Sequence, residues 1–147
     1  MDLRRLRAGE WLAGAGGILL IAALFLPWYE RGEPVTGFQA LTVIDILLAL
    51  LAGLALALPI FQATQDAPSK PVGTAVLTVV AGAIGALLVV FRLIDAPADG
   101  LEVRAGAWLA LAATVLTTVG AWRSLAAEYV RGLPPDLEPE LRPTPAP

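Results

Sequence analysis

Four long stretches of this sequence contain no charged residue, and they limit the fold more than any other feature. They are Trp11–Tyr29, Ile46–Gln65, Pro71–Phe91 and Ala105–Trp122. Each is close to the roughly 20 residues that an α-helix needs to cross the hydrocarbon core of a bilayer. The helices of a soluble bundle would each keep a polar face, and these stretches have none. The sequence therefore predicts four transmembrane helices.

The spacing of the four stretches predicts an all-α fold, an up-down-up-down transmembrane four-helix bundle within residues 1–131. We expect the helices at about 10–29, 40–62, 71–94 and 102–123. Pro59 and Pro71 are expected to bracket the short loop between the second and third helices. Residues 132–147 contain six prolines, which predicts a disordered or polyproline-like tail.

The basic residues predict the orientation of the bundle. Seven of them flank the end that holds both termini, and three flank the other end. The seven are Arg4, Arg5, Arg7, Lys70, Arg123, Arg131 and Arg142; the three are Arg31, Arg92 and Arg104. Since basic residues concentrate on the cytoplasmic side, both termini are expected in the cytoplasm and the protein in the cytoplasmic membrane. Trp11 and Trp122 would then mark the inner interface, and Trp28 and Trp108 the outer one.

Composition excludes several kinds of chemistry. The chain has no cysteine and no histidine, so it has no disulfide, no thiolate ligand and no imidazole base. No metalloprotease, phosphate-loop or serine-nucleophile motif is present. We therefore expect no enzymatic activity, no catalytic residue, no metal and no cofactor. Nucleic-acid binding is not expected either, since the only basic cluster is the three N-terminal arginines.

One charged cluster is expected inside the outer end of the bundle. The direction of each helix brings four residues there: Asp45, Arg92, Asp95 and Glu102. Charges within a membrane usually pair and face the bundle interior, so Asp45 with Arg92 is the preferred pair. The alternative is that Asp45 caps its helix, with Thr42 as the first residue of a capping box. An earlier helix start at Thr36 would instead bury Asp45 about two turns deep. Arg104 is expected to snorkel to the outer surface beside Trp108.

Small residues recur at helical spacing on all four stretches, which is typical of close helix contacts in membranes. Asp45 heads one such row, followed by Ala49, Gly53 and Ala57. The predicted packing positions are Gly17, Gly53, Gly85 and Gly106. On the first and fourth helices the rows are Gly9, Ala13, Gly16 and Gly17, and Glu102, Gly106, Ala110, Ala113, Thr117 and Gly120.

Several segments together resemble a family of small four-span membrane proteins of actinobacteria. These segments are "FLPWYE", "DILLALLAGLALALP", "FRLID", "GAWLALA" and "GAWRSL", in this order between Glu10 and Arg123. The resemblance implies a four-span bundle in the cytoplasmic membrane. It implies no activity, cofactor or catalytic residue.

Two functions follow as hypotheses from these observations. The first is a non-enzymatic structural or accessory subunit, whose partners are the lipid bilayer and either further copies of itself or other membrane proteins. The second is a small transporter or channel that works through Asp45 and Arg92. The first stretch, Trp11–Tyr29, contains no acid, which argues against proton-coupled export through the first helix.

Overall fold

The computed structural model describes residues 8–41, 43–64, 69–96 and 98–129. The helices within them are α1 (Ala8–Phe25), α2 (Gly37–Ala40), α3 (Ile44–Thr64), α4 (Ser69–Ile94) and α5 (Ala105–Tyr129). The strands are β1 (Pro27–Arg31), β2 (Glu33–Thr36) and β3 (Glu102–Val103). The predicted tail at 132–147, the first seven residues and Thr42 lie outside the described residues.

The four long helices form the predicted bundle. Each packs against the next one along the chain, and α1 packs against α5 to close the ring. All four contain a segment of 18 to 23 residues that is long and apolar enough to cross a membrane. The fold class predicted from the uncharged stretches is confirmed.

The first helix is shorter than predicted, because α1 ends at Phe25 rather than near residue 29. Leu26 precedes Pro27, and the proline ring disfavours helical geometry in the residue before it. Trp28 and Tyr29 then continue in β1, where aromatic side chains are favoured. The uncharged stretch therefore shows where the chain is apolar, but it does not show where the helix ends.

A small antiparallel sheet, unforeseen from the sequence, covers the end of the bundle opposite the termini. Its strand order is β2-β1-β3. The β1–β2 hairpin turns at Gly32, whose φ of 82° is one that glycine adopts without strain. Glu30 lies opposite Glu102 in the β1–β3 pair. The fourth long helix therefore begins at Ala105, after β3, and not at 102.

The earlier of the two helix starts considered for this region is used, but only for one turn. The Thr36 backbone N–H donates to Gln39 Oε1 at 3.1 Å, as in a capping box. The resulting helix, α2, stops at Ala40, and α3 begins separately at Ile44. Asp45 is therefore in the first turn of its helix and is not buried two turns deep.

Pro59 lies inside α3, which continues to Thr64, so the prediction that this proline starts the inner loop is wrong. Pro71 likewise lies within α4. Proline removes one backbone hydrogen bond from a helix, a loss that membrane helices tolerate when neighbouring groups compensate. Pro59 also packs on α1, since a methyl group added to Gly14 would lie 3.2 Å from its Cγ.

Trp28 is the largest side chain of the core and not the interfacial residue that the sequence predicted. It is fully buried, and its Nε1 donates to the Ala23 carbonyl at 2.8 Å. The glycine at position 37 makes room for it, because a methyl group there would lie 2.8 Å from Trp28 Nε1. The other tryptophans, Trp11, Trp108 and Trp122, are 56%, 60% and 61% exposed, as an interfacial position requires.

The tightest contact of the bundle is the crossing of α1 and α5. A methyl group on Gly9 would lie 2.6 Å from the Ser124 backbone nitrogen, and one on Gly16 would lie 2.7 Å from that of Thr117. A methyl group on Gly120 would collide with the Ala13 backbone nitrogen. The rows of small residues predicted on the first and fourth helices therefore face each other.

Three of the four predicted packing glycines lie in contacts, and the fourth does not. A methyl group on Gly17 would lie 3.0 Å from the Ala52 carbonyl oxygen, and one on Gly106 would lie 2.5 Å from that of Pro27. On Gly85 it would lie 2.9 Å from Leu51 Cδ2. Gly53 is exposed with open space around it, so its predicted role in the bundle is wrong.

The orientation of α3 explains the error at Gly53. The large residues on its buried face are Leu48, Leu51 and Leu58, and the small residues that follow Asp45 at steps of four are not on this face. The large side chains of Leu51 and Leu48 on α3 fill the space between α3 and α4 and pack against Gly85 of α4. A row of small residues can face outward at little cost in a bilayer, where lipid is as apolar as the core.

Candidate functional site

Asp45 is buried at the sheet end of the bundle and serves the start of its own helix. Its side chain is 7% exposed, and Oδ1 accepts the Ile46 backbone N–H at 2.7 Å. A carboxylate in the first turn is also favoured by the positive end of the helix dipole. Within the described residues no ion pair joins Asp45 to Arg92. The preferred pair is therefore not formed, and Asp45 instead binds a backbone N–H of its own first turn. The capping box headed by Thr42 lies outside the described residues.

Glu102 belongs to an ion-pair network on the sheet. Arg104 Nε lies 2.8 Å from Glu30 Oε2, and its Nη2 lies 3.1 Å from Glu102 Oε2. The two glutamates face each other across the β1–β3 pair, so the guanidinium offsets their repulsion. Arg104 therefore links Glu30 of β1 to Glu102 of β3, and its predicted position beside Trp108 is replaced by this network. Side-chain exposures of 39% to 74% make each bond a modest contribution to stability.

Tyr29 fastens the sheet to the end of α4. Its hydroxyl donates to the Arg92 carbonyl oxygen at 2.7 Å. This carbonyl is in the last turn of α4, where helix geometry leaves it without a partner. Burial raises the pKa of the Tyr29 phenol; nearby Arg92 lowers it and Asp95 raises it. The phenol is therefore a neutral donor at physiological pH.

Arg92 and Asp95 occupy this same corner without forming an ion pair within the described part of the chain. Asp95 is exposed after the end of α4. The Nε atom of Arg92 is buried and has no hydrogen-bond partner. The guanidinium carbon lies 5.8 Å from the centroid of the Phe91 ring, within range of a cation–π contact. The four predicted cluster residues thus share one end of the bundle but make separate contacts.

A second polar site, not among the predicted residues, lies at the opposite end. The Ser124 hydroxyl donates to Glu10 Oε1 at 2.7 Å, from α5 to α1. Both side chains are buried, with exposures of 1% for Glu10 and 2% for Ser124. The bond lies directly beside Gly9 and Gly120, where the two helices come closest. It is a buried interhelical hydrogen bond between a carboxyl group and a hydroxyl group.

The sequence contained a signal for this pair. Ser124 extends the small-residue row of α5 by one more helical step beyond Gly120. Glu10 is adjacent to Gly9, which begins the row of α1. A search for uncharged stretches does not detect Glu10, because the charge of this residue itself limits the first stretch to Trp11 onward. The first helix does contain a buried acid, Glu10. The lack of an acid in Trp11–Tyr29 therefore does not argue against proton-coupled export through this helix.

Two of the three buried threonine hydroxyls between these two ends are hydrogen-bonded within their own helices. Thr78 donates to the Thr74 carbonyl and Thr114 to that of Leu111, at 2.7 and 2.8 Å. Thr117 Oγ1 is buried without a hydrogen-bond partner and points at Gly16. Leu20, Leu48 and Leu58 are fully buried between the two ends. The hydrogen bonds of Thr78 and Thr114 therefore do not join one helix to another.

The polar contacts of the described residues join helices, start a helix or link the strands of the sheet. Among the described residues, no group of three acidic side chains is placed to hold a metal ion. Comparison of the chain with known protein families, characterised proteins and solved structures gives no match. Its class is defined by its own geometry, a multi-pass membrane protein with four packed apolar helices.

Proposed function

We propose that this protein is a non-enzymatic structural or accessory subunit of the cytoplasmic membrane, associating with further copies of itself or with other membrane proteins. We include in the proposal that the chain is one of the small four-span actinobacterial membrane proteins that it resembles. Association would use surfaces that the bundle leaves exposed to lipid.

The use of the buried polar side chains carries the proposal. Both buried carboxyl groups make contacts that helix formation and packing explain: Glu10 with Ser124 across two helices, and Asp45 at a helix start. These two buried carboxyl groups are at opposite ends of the bundle, and the buried polar groups between them are threonine hydroxyls, which carry no charge. A transported ion would need polar groups along its path, since lone charges are costly in an apolar interior.

One observation favours the alternative of a small transporter. Glu10 is a buried carboxyl group inside a helix long enough to cross a membrane. Ionisable groups in such helices commonly mark proton or ion pathways. This alternative would rest on Glu10 at one end, with Asp45 and Arg92 at the other.

Purification at native abundance tests the proposal. The protein would be tagged at its own chromosomal locus, extracted in a mild detergent and sized with its bound detergent subtracted. We expect a species heavier than the 15.3 kDa chain with a fixed ratio of subunits. A lone chain under every extraction condition would contradict an accessory role.

The orientation gives a prediction that the cysteine-free sequence makes easy to test. Glu33→Cys introduces a thiol on the exposed hairpin, and Glu128→Cys introduces one in α5 beyond its membrane-crossing segment Ala105–Ala127. In intact cells, a membrane-impermeant maleimide should label only Glu33→Cys. Glu128→Cys should react after the membrane is opened. The reverse pattern in intact cells would place the termini outside and contradict the charge rule.

A further inference from the structure

We propose that the Arg92 guanidinium binds the phosphate group of a phospholipid, in the leaflet at the sheet end of the bundle. The proposal rests on the membrane placement and is independent of whether the protein is an accessory subunit or a transporter.

The guanidinium has donors that the described chain does not use. Arg92 forms no ion pair there, and its Nε is buried without an acceptor. Arg104, the other arginine at this end with a described side chain, is bound by two carboxylates. Because Nε is buried, water and lipid cannot reach it, and the two terminal nitrogens of the guanidinium are the donors left for an outside acceptor.

The contact with Phe91 places the guanidinium toward lipid. Phe91 is 52% exposed, and the guanidinium carbon lies 5.8 Å from its ring centroid. Ile94, in the same last turn, is 83% exposed. Large apolar side chains this open in a membrane helix face acyl chains. Arg92 lies between them in the last turn of α4, where its long apolar stem allows the cation to reach the headgroup region.

Phosphate is the anion that suits this position. A guanidinium offers paired N–H groups that match phosphate oxygens in strong, charge-assisted hydrogen bonds. The last turn of α4 carries the negative end of the helix dipole, which helps to hold the cation there. The carboxylate of Asp95, three residues further along the chain, is the group that would compete with the phosphate for the Arg92 guanidinium.

The surroundings favour a lipid phosphate over a free one. The solvent side of this end carries Glu33, Asp95 and Asp99 in addition to the two glutamates bound by Arg104. These acids repel anions that approach from water. A lipid phosphate reaches Arg92 from the bilayer side, beside Phe91, and its acyl chains retain it there.

The test measures lipid binding to the purified full chain in a phosphate-free maltoside detergent, by native mass spectrometry with added phosphatidylglycerol. Arg92→Gln should weaken binding about tenfold, the worth of one lost charge-assisted bond. Arg104→Gln removes the same charge from the same end and should leave binding at the level of the parent. A glycolipid with the same acyl chains and no phosphate should not compete.

Three results would overturn the proposal. Equal binding by the parent and Arg92→Gln would show that Arg92 is not the site. Equal weakening by Arg92→Gln and Arg104→Gln would show only a general charge effect. Saturable displacement of the lipid by inorganic phosphate from the parent would assign the site to a soluble anion.

A second measurement keeps the charge in place, should Arg92→Gln fail to fold. The parent, labelled with ¹³C in its guanidinium carbons, would be reconstituted in phosphatidylglycerol vesicles. The Arg92 signal, identified by its loss in Arg92→Lys, should be dephased by lipid ³¹P. An Arg92 signal without dephasing would overturn the proposal.

Discussion

Gly120→Ala should lower the free energy of unfolding by about 3 kcal/mol, although it adds a single methyl group. That methyl would collide with the Ala13 backbone nitrogen and lie 2.8 Å from the Gly9 carbonyl oxygen. Backbone atoms cannot rotate away as a side chain can, so α1 and α5 must separate. Unfolding in mixed detergent micelles would measure the loss.

Gly53→Ala is the matched control for this prediction. The same methyl group at Gly53 meets nothing within 4 Å. Alanine also has the higher helix propensity, by about 1 kcal/mol, so the variant should be as stable as the parent or slightly more so. If Gly120→Ala unfolded like Gly53→Ala, the close crossing of α1 and α5 would be wrong.

Glu10→Ala should lower the free energy of unfolding by about 2–3 kcal/mol, because it deletes a buried hydrogen bond and leaves a cavity. Ser124→Ala should cost about 1–2 kcal/mol, since the buried carboxyl group then lacks this donor. The double variant should lose less than the sum of the two, as expected for residues in direct contact.

Glu10→Gln is the control that separates the hydrogen bond from the charge. The amide keeps an acceptor oxygen for the Ser124 hydroxyl at nearly the same place, so its stability should stay closer to that of the parent than the stability of Glu10→Ala. Strictly additive losses for Glu10→Ala and Ser124→Ala would show that the 2.7 Å contact does not couple the helices.

The helices could be predicted because bilayer thickness imposes a length on every uncharged stretch. Their ends could not, since charge marks the limit of the apolar region and local geometry ends the helix. Pro27 stops α1 within an uncharged segment. The sheet that follows depends on pairing between Glu30 and Glu102, which are far apart in sequence.

The buried face of a helix could be predicted where close packing requires glycine, as on α1 and α5. It could not be predicted where large leucines determine which face is buried, as on α3. Gly9, Gly16 and Gly120 must face another helix, because only they allow backbones this close. On α3, Leu51 fills the groove beside Gly85 and turns Gly53 outward. Spacing alone does not distinguish a small residue that packs from one that faces lipid.

Ion flux through proteoliposomes tests most directly whether the buried Glu10 is a structural residue. The parent and Glu10→Gln would be reconstituted at equal density, with pH-sensitive and potential-sensitive dyes reporting proton and cation movement. We expect both to be as tight as protein-free vesicles under a pH gradient and under a potential. Saturable flux in the parent that disappears in a folded Glu10→Gln would contradict the structural account and identify a transporter.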